Sequence, residues 1–255
     1  MNAVTVGRVA ENQWQAELDG RTVGYADVSR RPDGRAFVSI DVWQDLAFGR
    51  LADAILADLP TPLHTLVGEG DSDLMSRWER AGFTPGRREW EYVLPTDPRA
   101  TGLEASPPAA GVTILPGEAA DQSLLCALHH AIREEVDATV GWRTMPAEVL
   151  PRPSATRTPG DPSKYAVAVR DGAYVGLVRV APVPRRARIG LVAVLAGHQR
   201  QGVGRALLAH ASGTLYRAGT DSAWAEVDAS NTAAITLFER VGARRTGGNV
   251  ELVRP

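Results

Sequence analysis

Along the second half of the chain the apolar positions change period several times, and each change marks an element. "DQSLLCALHHAIREEVDATV", from Asp121, repeats its apolar residues at helical spacing behind an acidic cap, so a helix is expected there. "YAVAVR" and "AYVGLVRVA" alternate on either side of Asp171-Gly172, the pattern and turn chemistry of a β-hairpin, and "ARIGLVAVLA" supplies a third strand. Next comes a helical face of Val203, Leu207, His210 and Ala211, and then the strand "SAWAEVDA". "NTAAITLFERVG" reads as a helix opened by an Asn cap and closed by Gly242, and "NVELVR" as a last strand. The order helix, meander, helix, strand, helix, strand predicts an α/β fold with a sheet that is mostly antiparallel at its start.

Two stretches break the periodicity. "PTDPRATGLEASPPAAG" is rich in Pro, Gly, Ala and Ser and reads as a linker, which divides the chain into a domain over residues 1–95, a linker over 96–111 and a domain over 112–255. "GWRTMPAEVLPRPSATRTPGDPSK" is too dense in proline for regular structure; it predicts a long loop, a candidate wall for a substrate that would include Trp142.

Composition narrows the class. With 255 residues, 44% of them hydrophobic and 23% charged, the chain can bury one large or two small cores. A net charge of -2 provides no broad basic field, so neither nucleic acid nor a membrane surface is an expected partner. The single cysteine, Cys126, excludes an internal disulfide framework and a cysteine-based zinc cluster, and no metal is expected. "MNAVTVGRVAENQWQ" lacks the layout of a signal peptide and no apolar run approaches the ~20 residues of a membrane span, so a soluble, cytoplasmic protein is expected.

Between the third strand and its helix lies "HQRQGVGRALL", residues 198–208. A glycine-containing turn there exposes consecutive backbone N–H groups beside a helix N-terminus, an arrangement suited to phosphate. Gly202 and Gly204 would let that backbone approach a ligand closely. The turn is not a P-loop, since Arg205-Ala206 follows Gly204, nor a dinucleotide fingerprint, which needs a third glycine within a parallel βαβ unit.

The strand "LVAV", the loop Gln-x-x-Gly-x-Gly and the later "EVDASNTAAITLFERVGA", in this order, resemble the acetyl-coenzyme A binding core of the GNAT acetyltransferase family, over about Val112 to Arg254. The resemblance implies acetyl-coenzyme A as cosubstrate. It sets the amides of Arg200, Gln201, Gly202, Val203 and Gly204 on the pyrophosphate, Val192, Ala193 and Val194 along the pantetheine arm and Asn231 near the cofactor, with Gln199, Arg205 and Phe238 also among the cofactor-binding residues.

The first half then becomes legible. "WQDLAFGRLADAIL" aligns with "HQRQGVGRALLAHA", so that Gln44, Gly49 and Arg50 fall on Gln199, Gly204 and Arg205, and "WERAGF" aligns with "FERVGA". Ahead of these, "WQAEL", "RTVGYADV" and "AFVSIDVW" repeat the meander with no preceding helical segment. The expected fold class is therefore two GNAT-like domains in tandem, each a mostly antiparallel mixed sheet flanked by helices. Ala47 at the place of Gly202 and Asp45 at that of Arg200 predict that the first copy does not bind the cofactor.

The resemblance implies an N-acetyltransferase in which an amine attacks the acetyl thioester directly. Backbone N–H groups at Val192 to Val194 are candidates for stabilising the oxyanion. No carboxylate occupies that strand, which leaves Glu226 as the candidate base, with Asp228 next and Glu134 and Glu135 as candidate contacts for the ammonium. Phe238 stands where many family members carry a tyrosine thought to protonate the coenzyme thiol; Tyr216, Thr236, His129, His130, His198 and His210 are not selected by spacing. A small-molecule amine is the expected acceptor. A coenzyme A binding regulator without turnover and a protein-lysine acetyltransferase are the alternatives.

Overall fold

The computed structural model describes residues 3–31, 34–103, 110–138, 161–183 and 186–255. The predicted proline-rich loop, Trp142 included, lies almost wholly outside them. The chain gathers into two compact units, residues 3–88 with 248–255, and residues 89–138 with 161–247.

In the first unit β1 (Thr5–Ala10), β2 (Gln13–Leu18), β3 (Arg21–Arg30) and β4 (Ala36–Val42) form an antiparallel meander. After α1 (Asp45–Asp58), β5 (Leu63–Gly68) joins β4 in parallel at Ala36 and Phe37. Alternation along β2 to β4 turns Trp14, Ala16, Ala26, Val28, Val38 and Ile40 toward one side, where they pack with Phe48, Leu51 and Ile55 of α1 and Trp78 of α2 (Ser72–Arg80).

The second unit opens with the end of β6 (Thr84–Pro95) and a single helical turn, α3 (Pro98–Thr101). β7 (Val112–Pro116), α4 (Gln122–Ala138), β8 (Tyr165–Arg170), β9 (Ala173–Val183) and β10 (Arg186–Val194) follow, then α5 (Val203–Arg217), β11 (Ser222–Asp228) and α6 (Thr232–Arg240). Its strands run in the order β7, β8, β9, β10, β11, β6. One face packs Ala187, Ile189, Ala223, Ala225 and Val227 against Leu207, Leu208 and Ala211 of α5 and Phe238 of α6. The other face packs Tyr165, Val167 and Leu177 against Leu125, Leu128 and Ile132 of α4.

The packing divides the chain differently from a cut after residue 95. Residues 89–95 of β6 pair antiparallel with β11, so they belong to the second unit. Conversely, residues 249–254 of the last strand, β12 (Arg244–Arg254), pair antiparallel with β5 in the first. The backbone hydrogen bonds of an edge strand are satisfied in each case by the last strand of the other sequence half. The stretch expected to be a linker is also partly built, since Thr96, Thr101 and Leu103 are buried. β7 was not anticipated, being too short for its alternation to stand out.

β12 also carries a buried charge into the first unit. The Glu251 carboxylate accepts from Arg35 Nη1 at 2.6 Å and from His64 Nδ1 at 2.9 Å. Burial alone raises the carboxyl's pKa, but the His64 hydrogen bond and the charges of Arg35, His64 and Arg87 outweigh it and hold the group below its ordinary range. A depressed carboxyl contributes stability that is complete above its unfolded value of about 4.3 and is lost as pH falls through the lower folded value. Urea unfolding of Glu251→Gln is therefore expected to show lower stability than the parent at pH 7 and a shallower further loss on acidification. Parallel pH profiles for the two proteins would refute this role.

Candidate functional site

The candidate site of the second unit lies where β10 parts from β11. Among the described residues, Ala187 and Arg188 of β10 pair with β11, at Ala223 and Trp224, whereas β10 continues to pair with β9 as far as Val194. The change coincides with a bulge. Ile189 faces Val180 and Leu191 faces Arg179, so Gly190 is the extra residue. Before it, Ala187 and Ile189 pack toward α5; after it, Val192 and Val194 do so, and Leu191 and Ala193 turn to the α4 side. The bulge thereby reverses the alternation of β10. A glycine inside a strand pattern was the sequence signal for it.

After β10 the chain takes eight residues, 195–202, to reach α5. Arg200 (φ 60°) and Gly202 (φ 82°) are left-handed on either side of Gln201, an alternation that can turn successive N–H groups to one side as a nest for an anion. Gly202 is the N-cap of α5, and no side chain caps that helix end. α4 and α6 are capped by Asp121, which accepts from Leu124 N, and by Asn231, which accepts from Ala234 N. The α5 terminus thus keeps the positive end of its dipole without a side-chain acceptor.

Side chains hold this loop in shape. Gln199 Nε2 donates to the Val194 carbonyl at 3.0 Å, Gln201 Nε2 donates to the Gly197 carbonyl at 3.1 Å, and Arg170 donates to Gln201 Oε1. Glu135 of α4 accepts from Ala196 N through both oxygens, at 3.0 and 3.2 Å. It ties down the loop, a role different from the ammonium contact expected of it.

Several other expected residues are engaged elsewhere. A Cβ on Gly204 would come within 3.1 Å of Leu237 Cδ2, so this glycine admits α6 against α5 and its lack of a side chain is explained by helix packing. Val203 and Phe238 are in the core, the latter stacked on Tyr92 with ring centroids 6.0 Å apart. Arg205 reaches the Gly102 carbonyl at 3.3 Å. Glu226 is ion-paired with Arg188, whose guanidinium lies 5.0 Å from the Trp224 ring centre, and its strand partner is Glu91. Asp228 accepts from the Ser230 amide at 2.8 Å, and the Thr236 hydroxyl donates to the Thr232 carbonyl. Glu134 pairs with His130, both exposed, and Tyr216 is exposed near the far end of α5. His210 is kept toward its neutral form first by burial and then by Arg217.

On the α4 face, burial and then the charges of Arg133, Arg179 and His130 lower the pKa of His129 and favour the neutral imidazole. Burial raises that of Tyr165, against the opposing influence of Arg179. Spacing alone had not singled out Arg179 or Tyr165.

The corresponding place in the first unit is built differently. Only Trp43 and Gln44 separate β4 from α1, so Ala47 and Gly49 lie within the helix, and Ala47 is buried in the core. The loop expected around these residues is absent because the helix starts earlier. Asp45 occupies the first turn of α1 and accepts from Arg77 at 2.8 Å. A cavity of about 400 Å³ there is lined by Asp45 and Asp53 as well as Arg77 and Arg80.

No helix of the described residues is long and apolar enough to cross a membrane, and among those residues no group of three His, Cys, Asp or Glu could hold a metal ion.

Residues 133–243 match the acetyltransferase (GNAT) family. Over 51 residues the chain is 51% identical to the [ribosomal protein bS18]-alanine N-acetyltransferase of Escherichia coli, covering 20% of this chain and 34% of that protein. It is 37% identical over 84 residues to the mycothiol acetyltransferase of Streptomyces griseus, covering 32% of this chain and 27% of that one. The alignments thus span about a third of these relatives or less. Among solved structures, a GCN5-related N-acetyltransferase from Sphaerobacter thermophilus superposes with TM-score 0.68 at 19% identity, covering 97% of this chain and 82% of that one. A tandem GNAT protein from the clavulanic acid biosynthesis pathway gives TM-score 0.64 at 17% identity, with 99% and 83% covered. These two likenesses show the fold.

Since Gly204 fits against Leu237 with little room, Gly204→Val is expected to destabilise the second unit by about 1–3 kcal/mol through overpacking. Thermal unfolding checks this; an unchanged melting temperature would refute the packing role.

Proposed function

Since residues 133–243 belong to the acetyltransferase (GNAT) family, we propose that this chain is an acetyl-coenzyme A dependent N-acetyltransferase acting on a small-molecule amine. The observation that carries the reading is the α5 N-terminus, which no side chain caps, behind a loop with left-handed residues at 200 and 202. Such an end favours a phosphate. Arg200 to Gly204 would hold the pyrophosphate through backbone N–H groups, with Gln199 and Gln201 keeping the loop in shape.

Acetyl-coenzyme A supplies an activated acyl thioester. The edge of β10 at Val192 to Val194, beyond its last pair with β11, is assigned to orient that group and to stabilise charge developing on the thioester oxygen through backbone N–H groups. Glu226, oriented by Arg188, is the carboxylate assigned to receive the amine's proton. A departing thiol with a pKa of about 8.5 is a tolerable leaving group without a dedicated acid. That is compatible with the buried Phe238 where a tyrosine would otherwise stand.

We assign the first copy a structural role. The two-residue connection into α1 and the carboxylate of Asp45 at that helix start both oppose cofactor binding.

Calorimetry is expected to give one acetyl-coenzyme A per chain, with binding strongly weakened in Gly202→Asp, which introduces a carboxylate at the nest. Two equivalent sites, or unchanged affinity in the variant, would reject the assignment. Glu226→Gln is expected to lower kcat/KM by about 10²–10⁴-fold at neutral pH, the usual worth of general acid–base catalysis, with cofactor affinity nearly unchanged. Equal losses in turnover and cofactor affinity would make Glu226 structural.

A further inference from the structure

The α4 face of the second unit has a group of side chains for which cofactor binding has no use. Arg179 stands on β9 opposite Leu191, one residue past the bulge of β10. A Cβ added at Gly190 would lie 3.2 Å from Arg179 Nη1, so the guanidinium lies over the bulge and the missing side chain gives it room. Tyr165 of β8 is the register partner of Arg179, so the two stand side by side on the α4 face of the sheet, and His129 of α4 lies within the field of Arg179 and Arg133. Burial, and after it the positive charges of Arg133, Arg179 and His130, keep the imidazole toward neutrality.

We propose that Arg179, set beside the bulge with Tyr165 and His129 around it, binds an anionic group that the acceptor carries close to its amine. This deepens the acetyltransferase reading and rests on it. A guanidinium presents a planar fork of donors suited to a carboxylate or phosphate, and a phenol and an imidazole N–H beside it can complete the shell. Position separates this anion from the coenzyme's pyrophosphate. Arg179 faces Leu191, within β10, whereas the nest begins at Arg200, nine residues further along the chain. The segment assigned to the thioester, Val192 to Val194, starts immediately after Leu191. An amine brought to that segment would have an anion a few bonds away within reach of Arg179. The acceptor class is therefore an amine with a nearby carboxylate or phosphate, such as an amino acid or a phosphorylated amino sugar.

The test pairs acceptors that differ only in this charge: α-amino acids against their carboxamides, and amino-sugar phosphates against the parent amino sugars, read by release of coenzyme thiol. The anionic member of at least one pair is expected to show the higher kcat/KM, and which pair does so distinguishes carboxylate from phosphate. Arg179→Gln is expected to reduce the anionic-to-neutral ratio by about 30-fold or more, mainly through KM, as for the loss of one partner of a charged hydrogen-bonded pair. Arg179→Lys is expected to recover part of that ratio. Acetyl-coenzyme A affinity, measured by calorimetry on the same variants, reports whether the fold and the nest are intact. No preference for either anionic member, or equal losses for charged and neutral partners in Arg179→Gln with cofactor affinity intact, overturns the proposal while leaving the acetyltransferase reading standing. Loss of cofactor affinity in Arg179→Gln would instead assign the guanidinium to the coenzyme and also overturn it. Absence of acetyl-coenzyme A binding by the parent protein would reject the acetyltransferase reading itself.

Discussion

The second unit depends on β10 having two neighbours at its start and only one afterwards. A strand hydrogen-bonded on both edges presents no backbone to a ligand. By pairing with β11 through Ala187 and Arg188 alone, while staying on β9 through Val194, β10 is held rigidly on one side and opened on the other. The bulge at Gly190 makes this compatible with packing: it moves Val192 and Val194 into the α5 core and turns Leu191 and Ala193 toward α4. β4 has no register shift against β3, and the chain passes from it into α1 through two residues. From β2 and from β8 onward the two sequence halves share an order of elements, α4 having no counterpart in the first, while they differ in the device that would make a site.

The strands and helices of the second half were legible because their periods are clean. Alternation at Tyr165 to Arg170 and the Asp171-Gly172 turn give a hairpin, and Asn231 caps its helix as its position implied. The loop at 199–204 was legible as a motif, but the two glycines do different work. Gly202 is left-handed at a helix end, whereas Gly204 is shaped by Leu237, a neighbour distant in sequence that no local pattern reveals. For the same reason the Glu226–Arg188 pair, the hold of Glu135 on Ala196 and the placing of Tyr165 opposite Arg179 were out of reach: each joins residues more than a dozen positions apart. Aligning the two halves residue by residue carried its own error. Matching letters placed Gly49 on Gly204, yet the helix around Gly49 begins four residues ahead of it.

The exchange of terminal strands gives a physical reason for the two halves to remain on one chain. The core of the second unit includes Tyr92 and Leu94 of β6, both nearly fully buried. Tyr92 stacks on Phe238 and donates its hydroxyl to Glu239 at 3.1 Å, and burial followed by the influence of Glu239 keeps the phenol protonated for that purpose. Trp90 of the same strand lies under the Arg245 guanidinium at 3.5 Å. The Tyr92 contacts brace α6, whose Leu237 fits against Gly204 at the start of α5. The first half is required whatever the form of its connection into α1, because its last strand supplies side chains on which the second half's helices rest. That strand contributes through burial and hydrogen bonding alone, and so places no requirement on the connection into α1, which is two residues long.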